Sequence, residues 1–201
     1  MSDSYITICP VKEVENPKKL ASEFIQWLKS KEIIEKELSN CVLSLKGLGY
    51  KPGKKHLGVV SYDENILRLQ VCGLEIKTER EVFTGMSFTS FTDCVCPKCN
   101  KNRFNGISEE DIYSENLTSE QQESFSTLHS ALNIWSKNEA ENLTCNHCNL
   151  DSKIDDYDLG ETLALSNLGF TFWNWPEFKD EFIDDVKSIL DTEIKVILGH
   201  I

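Results

Sequence analysis

The sequence predicts an α+β fold, a mostly antiparallel sheet with N- and C-terminal helices into which a four-cysteine zinc ribbon with a bridging helix is inserted. Three observations carry this expectation. Strand-like apolar runs lie near both ends of the chain, helical apolar periodicity follows the first run and precedes the last, and two Cys-x-x-Cys pairs sit between them.

Tyr5-Ile6-Thr7-Ile8 reads as the opening strand. Asn16-Pro17 is a suitable N-cap and N1 pair, and Leu20, Phe24, Trp27 and Leu28 recur at helical spacing, marking a buried stripe that extends to about Ile34. Val42 to Leu45 reads as strand, 47–58 as a Gly/Lys-rich loop, and Val59-Val60 as a further strand signal. Leu67, Leu69 and Val71 alternate on one face, and Leu74 and Ile76 continue the signal past a candidate hairpin turn at Cys72-Gly73. Ser119-x-x-Gln122 has the form of a capping box, and Phe125, Leu128, Leu132 and Trp135 follow as the apolar stripe of a bridging helix. The run Phe170 to Trp175 leads to Pro176 at an expected helix N1. Phe178, Phe182, Val186 and Ile189 form the closing helix stripe, and Glu193 to Leu198 reads as the last strand. This order divides the chain into an α+β core of residues 1–92 and 152–201 and a zinc-ribbon insert of residues 93–151.

The cysteine pairs Cys96-Pro97-Lys98-Cys99 and Cys145-Asn146-His147-Cys148 have the spacing of zinc knuckles. Each is followed by Asn, at Asn100 and Asn149, the non-Gly residue best suited to a left-handed turn position. Cys96, Cys99, Cys145 and Cys148 are therefore the expected ligands of a structural Zn²⁺, and four thiolates leave no open position for catalysis. Disulfides are the weaker reading because no signal peptide opens the sequence, which points to a reducing cytoplasm. A thioredoxin-like site would need only one pair. Cys94 could replace Cys96 as a ligand, but the knuckle spacing favours Cys96, leaving Cys94 as a buried thiol. Cys9, Cys41 and Cys72 lie in apolar runs and read as core, and His129 and His147 as surface residues.

The 201 residues are 40% hydrophobic, enough for a real core, with no apolar run long enough to span a bilayer. Lys and Arg number 21 against 33 Asp and Glu, a net charge of −12 that opposes nucleic-acid binding and favours basic protein surfaces, although Lys51, Lys54, Lys55 and His56 could form a local basic patch. The loop from Gly47 fails as a phosphate-binding motif, because its first Gly is misplaced and Lys55 stands where Ser or Thr is required. Hydrolase, metalloprotease and deaminase signatures are missing from the sequence.

The opening Tyr5 to Pro10, the two cysteine pairs, Trp175-Pro176 heading a helix and the closing Ile194 to Ile201 resemble a family of uncharacterised bacterial proteins often labelled automatically as sugar-transporter ATPases. The residues do not support that label. The resemblance implies the fold and the zinc, while Asn100 departs from the family's usual Gly.

The functional expectation is a non-enzymatic acidic protein-binding module, most concretely a bacterial immunity protein that covers the active surface of a basic, nuclease-type toxin. Glu177, Asp180, Glu181 and Asp184, spaced along one side of the closing helix, are the expected partner-binding residues. The alternatives are a zinc ribbon that binds or regulates nucleic acid, and an enzyme using Asp155, Asp156 and Asp158.

Overall fold

In a computed structural model, which describes residues 3–44, 47–62, 69–85, 93–107, 110–111, 117–139 and 142–201, period-two alternation organises the main, six-stranded antiparallel sheet. Its central strands are β1 (Ser4–Pro10), β9 (Gly169–Trp173) and β4 (Gly73–Lys77). Ile8 lies opposite Phe170 and Leu74 opposite Phe172, so these apolar residues share one face. Thr7, Thr171 and Glu75 share the other.

Two helices cover the apolar face. α1 (Pro17–Ser30) buries Ala21, Phe24 and Leu28, and α3 (Asp180–Leu190) buries Phe182, Val186 and Leu190. Phe24 meets Phe170 edge-on at 4.5 Å, and Trp27 stacks with Phe182 at 6.0 Å, locking both helices to the sheet and to each other.

α1 ends earlier than its apolar stripe suggests. Glu32 takes φ 58°, and the Ile33 N–H donates to the Leu28 carbonyl at 2.9 Å, a left-handed helix stop made without glycine. Ile34 therefore starts β2 (Ile34–Asn40) rather than ending the helix. The expected 47–58 loop contains β3 (Leu48–Pro52), followed by a single 3₁₀ turn at His56–Gly58. Val42 and Leu43 lie outside strands, as does Val59, while Val60 makes one isolated bridge to Phe178. Leu45 and Leu67 lie outside the described residues, and Leu69 and Val71 are not strand. Cys72-Gly73 is no hairpin turn, because β4 pairs with β3 and β9.

The closing helix begins at Asp180, not Pro176. The segment before it is extended because its backbone is committed elsewhere: Ser61 N–H donates to the Glu177 carbonyl at 2.7 Å and Lys179 N–H to the Val59 carbonyl at 2.9 Å. The closing strand β10 (Ile194–His200) pairs with β1 along its whole length, completing the sheet order β10-β1-β9-β4-β3-β2.

The polar face is partly covered by a second pair, β5 (Glu81–Thr84) and β8 (Leu163–Ser166), whose Phe83 and Ala164 pack with Cys9 and Ile197. Gly169 makes this approach feasible, since a Cβ there would lie 2.2 Å from the Phe83 ring. Beyond β8 a second apolar cluster joins Leu163 and Leu165 to the cysteine-bearing segment. Arg80 ties the layers together: it makes a bidentate pair with Glu13 at 2.7 and 2.8 Å and lies 4.9 Å over the Trp135 ring. No helix among the described residues is long and apolar enough to cross a membrane.

Trp175 is an anchor between sheet and helix, packed against Phe172 and Phe178. Trp173 is not: it points to the opposite face, tilts against Tyr5 at 5.2 Å and donates its indole N–H to Glu75. Trp175→Ala is expected to lower stability by about 3–5 kcal/mol in urea denaturation, and Trp173→Ala by about 1–2 kcal/mol through loss of one charge-assisted bond and partial packing. Equal losses would contradict the opposite-face assignment.

Candidate metal centre

The two knuckles are built alike. In the first, Asn100 takes φ 57° and its N–H donates to Cys96 O at 2.9 Å. In the second, Asn149 takes φ 56° and its N–H donates to Cys145 O at 3.0 Å. These left-handed asparagines close each turn as the sequence expects, leaving the Lys98 and His147 N–H groups aimed at Cys96 Sγ and Cys145 Sγ, both at 3.4 Å. The second knuckle is the loop of a hairpin formed by β6 (Asn142–Thr144) and β7 (Asp151–Lys153). The first is flanked by the Val95–Asn102 bridge.

Cys96, Cys99, Cys145 and Cys148 come together with all four sulfurs within 4.8 Å of one another and could hold a metal ion. The Cys96–Cys148 sulfur distance is 3.9 Å and the Cys99–Cys145 distance 3.7 Å. A tetrahedron with metal–sulfur bonds of about 2.3 Å has an edge of about 3.8 Å, whereas a disulfide would need about 2.0 Å. The donor set therefore fits a tetrahedral thiolate site, and all four cysteines are free thiols. Cys94 is fully buried in the adjoining apolar cluster and is not one of the four; burial pushes its thiol up to about 12.

The surrounding residues hold the knuckles against α2 (Ser119–Ser136), which bridges them in sequence. Its capping box starts one residue before the expected position: Thr118 accepts the Gln121 N–H, and Gln121 accepts the Thr118 N–H in return. Phe104 stacks on Phe125 at 4.2 Å, while Leu128, Leu132 and Trp135 are buried. Arg103, nearly buried, donates to the Ser124 carbonyl at 3.2 Å and the Thr144 carbonyl at 2.9 Å, linking helix, first knuckle and second hairpin. Nothing in the sequence singles out Arg103, because an arginine serving backbone carbonyls leaves no motif. His147 is exposed as expected, and its Nε2 meets the Asn102 carbonyl at 2.9 Å.

The cluster's electrostatics suit a bound cation. Burial raises the Cys96 thiol, but the N–H groups of Cys99 and Lys98 and the neighbouring thiols outweigh it and hold it down at about 6. At Cys99 the Lys101 N–H acts downward, while burial and the other three thiols prevail and raise it to about 11. One thiolate forms readily and the next are opposed by it, and a divalent ion bound there would favour loss of the remaining protons.

The other residues singled out in the sequence do not converge on a site. Glu177, Asp180, Glu181 and Asp184 are all exposed, with Glu177 in the extended segment before α3 and the other three on the helix. Asp155 and Asp156 sit exposed in a 3₁₀ turn, and Asp158 accepts the Gly160 N–H. His129 is exposed on α2 and within 3.0 Å of the Asn133 amide. Two of the four residues of the expected basic patch are spent, Lys55 on Glu32 at 2.7 Å and His56 buried on the Gly53 carbonyl, while Lys51 and Lys54 are exposed. No protein-family model matches the chain, and neither a curated protein nor a solved structure shows significant similarity to it.

Cys148→Ser is expected to abolish stoichiometric binding of a divalent metal. In the unaltered chain, binding weakens as pH falls from about 7.5 to about 5.5, because protons compete for thiolates. A chromogenic chelator titration across that range checks both. Binding that is insensitive to pH and to Cys148→Ser would place the metal elsewhere.

Proposed function

We propose that this chain is a non-enzymatic, zinc-stabilised protein-binding module whose acidic helical face docks a basic protein, most concretely an immunity protein that covers the active surface of a nuclease-type toxin. Zinc is the metal best suited to four thiolates in tetrahedral array, and with every position taken it stabilises the fold rather than catalysing. The observation that carries the binding role is the state of α3. Asp180, Glu181, Asp184 and Asp185 are exposed, Glu177 precedes them, and none is in an ion pair among the described residues. The one ion pair of α3 among the described residues joins Lys187 to Glu193.

Like charges at helical spacing repel by a few tenths of a kcal/mol per pair, and only the first turn gains from the helix dipole. A partner's lysines or arginines relieve that repulsion and gain from electrostatic steering. A nuclease surface, basic because its substrate is anionic, has the matching charge. A nucleic-acid role has less support: exposed Lys98 and Lys101 at the first knuckle favour it, but the net charge of −12 and the occupied Lys55 oppose it.

With the partner isolated by co-purification from the native host, the double variant Glu181→Lys, Asp184→Lys is expected to slow association about tenfold at low salt, with little change at high salt and an unaltered melting temperature. An unchanged association rate at low salt would remove this ridge from the interface. Co-purification of polymerase or ribosomal components in place of a basic effector would favour the nucleic-acid reading.

A further inference from the structure

The helix layer stops short of one side of the main sheet. Leu74, Tyr50 and Leu38 stand in register across β4, β3 and β2 on the face that carries α1 and α3, with Ile76 and Leu48 two residues along their strands. Leu74 is fully buried, yet Leu38 is 53% exposed and Leu48 51%. The cause is width: six strands about 4.8 Å apart span about 29 Å, more than two helices of about 10 Å each can cover. α1 also leans toward α3. At about 100° per residue, Trp27 lies on the flank that meets Phe182, while Lys18, Ile25 and Lys29 fall within about 40° of one another on the opposite flank. Between that second flank and the bare strip runs a groove of about 500 Å³, floored by Leu38, Leu48, Tyr50 and Ile76 and walled by Ile25. Its charge is the reverse of the chain's. Lys18 and Lys29 line it and, among its described lining residues, no Asp or Glu does, although the net charge is −12. Neither lysine is in an ion pair among the described residues, and Lys29 lies 4.3 Å over the Tyr50 ring. Past Lys29 the surface continues to Lys36, Glu37 and Glu32, the last held by Lys55.

We propose that this groove docks an amphipathic α-helix of a partner protein, laid beside α1 as a third helix of the layer, with an apolar stripe inward and acidic residues near both ends. Each term answers an observation. The uncovered strip is a place in a helix layer, and its apolar floor takes anchors spaced i, i+3 or i+4, and i+7. Lys18 and Lys29 are eleven residues apart in α1, about 16 Å along its axis, so they select carboxylates about three turns apart on the incoming helix. A second copy of this chain does not supply that helix. The exposed positions of its α3 carry only charged residues and Ser188, and pairing groove with groove brings two cationic rims together. The groove lies on the flank of α1 away from α3, so it is separate from the acidic ridge proposed above and opposite to it in charge.

The test selects from a display library of helical 18-residue peptides on the full, metal-loaded chain. Enriched peptides are expected to carry Asp or Glu near both ends and apolar residues at i, i+3 or i+4, and i+7, and to bind with Kd on the order of 10 µM. Leu48→Asp and Lys18→Glu are each expected to weaken them about tenfold with the melting temperature kept, since both side chains are largely exposed. Placing Lys at the peptide end that faces residue 18 should restore binding to Lys18→Glu, a charge swap that damage to the fold does not produce. The ridge variant Glu181→Lys, Asp184→Lys should leave these affinities unchanged, so failure of one surface is read separately from failure of the other. Four results would overturn the assignment: no enriched helical peptide or only basic ones, affinity untouched by Leu48→Asp, a dimer of the chain that Leu48→Asp dissolves, or binding to phosphatidylglycerol vesicles in place of any peptide.

Discussion

Convergence of four thiols from two distant knuckles is the constraint on which one half of this molecule depends. Sulfurs 3.7 and 3.9 Å apart are too far for disulfides and too close to carry four negative charges unaided. The depressed Cys96 and the elevated Cys99 express that conflict within one cluster. A divalent cation would resolve it, and in doing so would fix the first knuckle against the β6–β7 hairpin. Arg103 and His147 add hydrogen bonds between the same pieces.

The other half follows from strand alternation. β1, β4 and β9 each send large apolar side chains to the helices, and threonines, Glu75, Lys77 and the Tyr5–Trp173 pair to the opposite face, so one sheet supplies a core on one side and a half-covered, more polar surface on the other. Phe83 and Gly169 set how far the small β5–β8 layer can approach, and the space it does not fill is an open cleft. Glu75 illustrates the consequence. It is nearly buried, yet acceptable because Trp173 and Lys77 satisfy its oxygens.

Much of this was legible in the sequence where the signal was local. The knuckles announce themselves by cysteine spacing and by Asn100 and Asn149, and the helix stripes by periodicity. Elements decided by distant partners were not legible. Glu32 stops α1 in a conformation that side-chain type does not advertise, and β3 lies in a segment whose glycines and lysines resemble a loop. The delayed start of α3 reflects backbone bonds to residues 59–61 that Pro176 alone cannot foretell. The groove beside α1 was invisible for a related reason: its residues come from a helix and three strands that share no motif. Trp173 and Trp175, two positions apart, lie on opposite sides of the sheet because the strand ends between them, at Asn174 with φ 55°.

The two halves meet through Leu163 and Leu165 and through the Arg80 clamp between Glu13 and Trp135, so they touch without sharing a core. A metal held by the four thiols would accordingly act as a local stabiliser. Amide hydrogen exchange before and after chelation measures this most directly. Loss of the metal is predicted to remove protection from residues 94–104, 118–136 and 142–153 while amides of β1, β9 and α1 keep theirs. Unchanged protection around the knuckles after complete metal removal would contradict the claim that the four-thiol centre holds that half together.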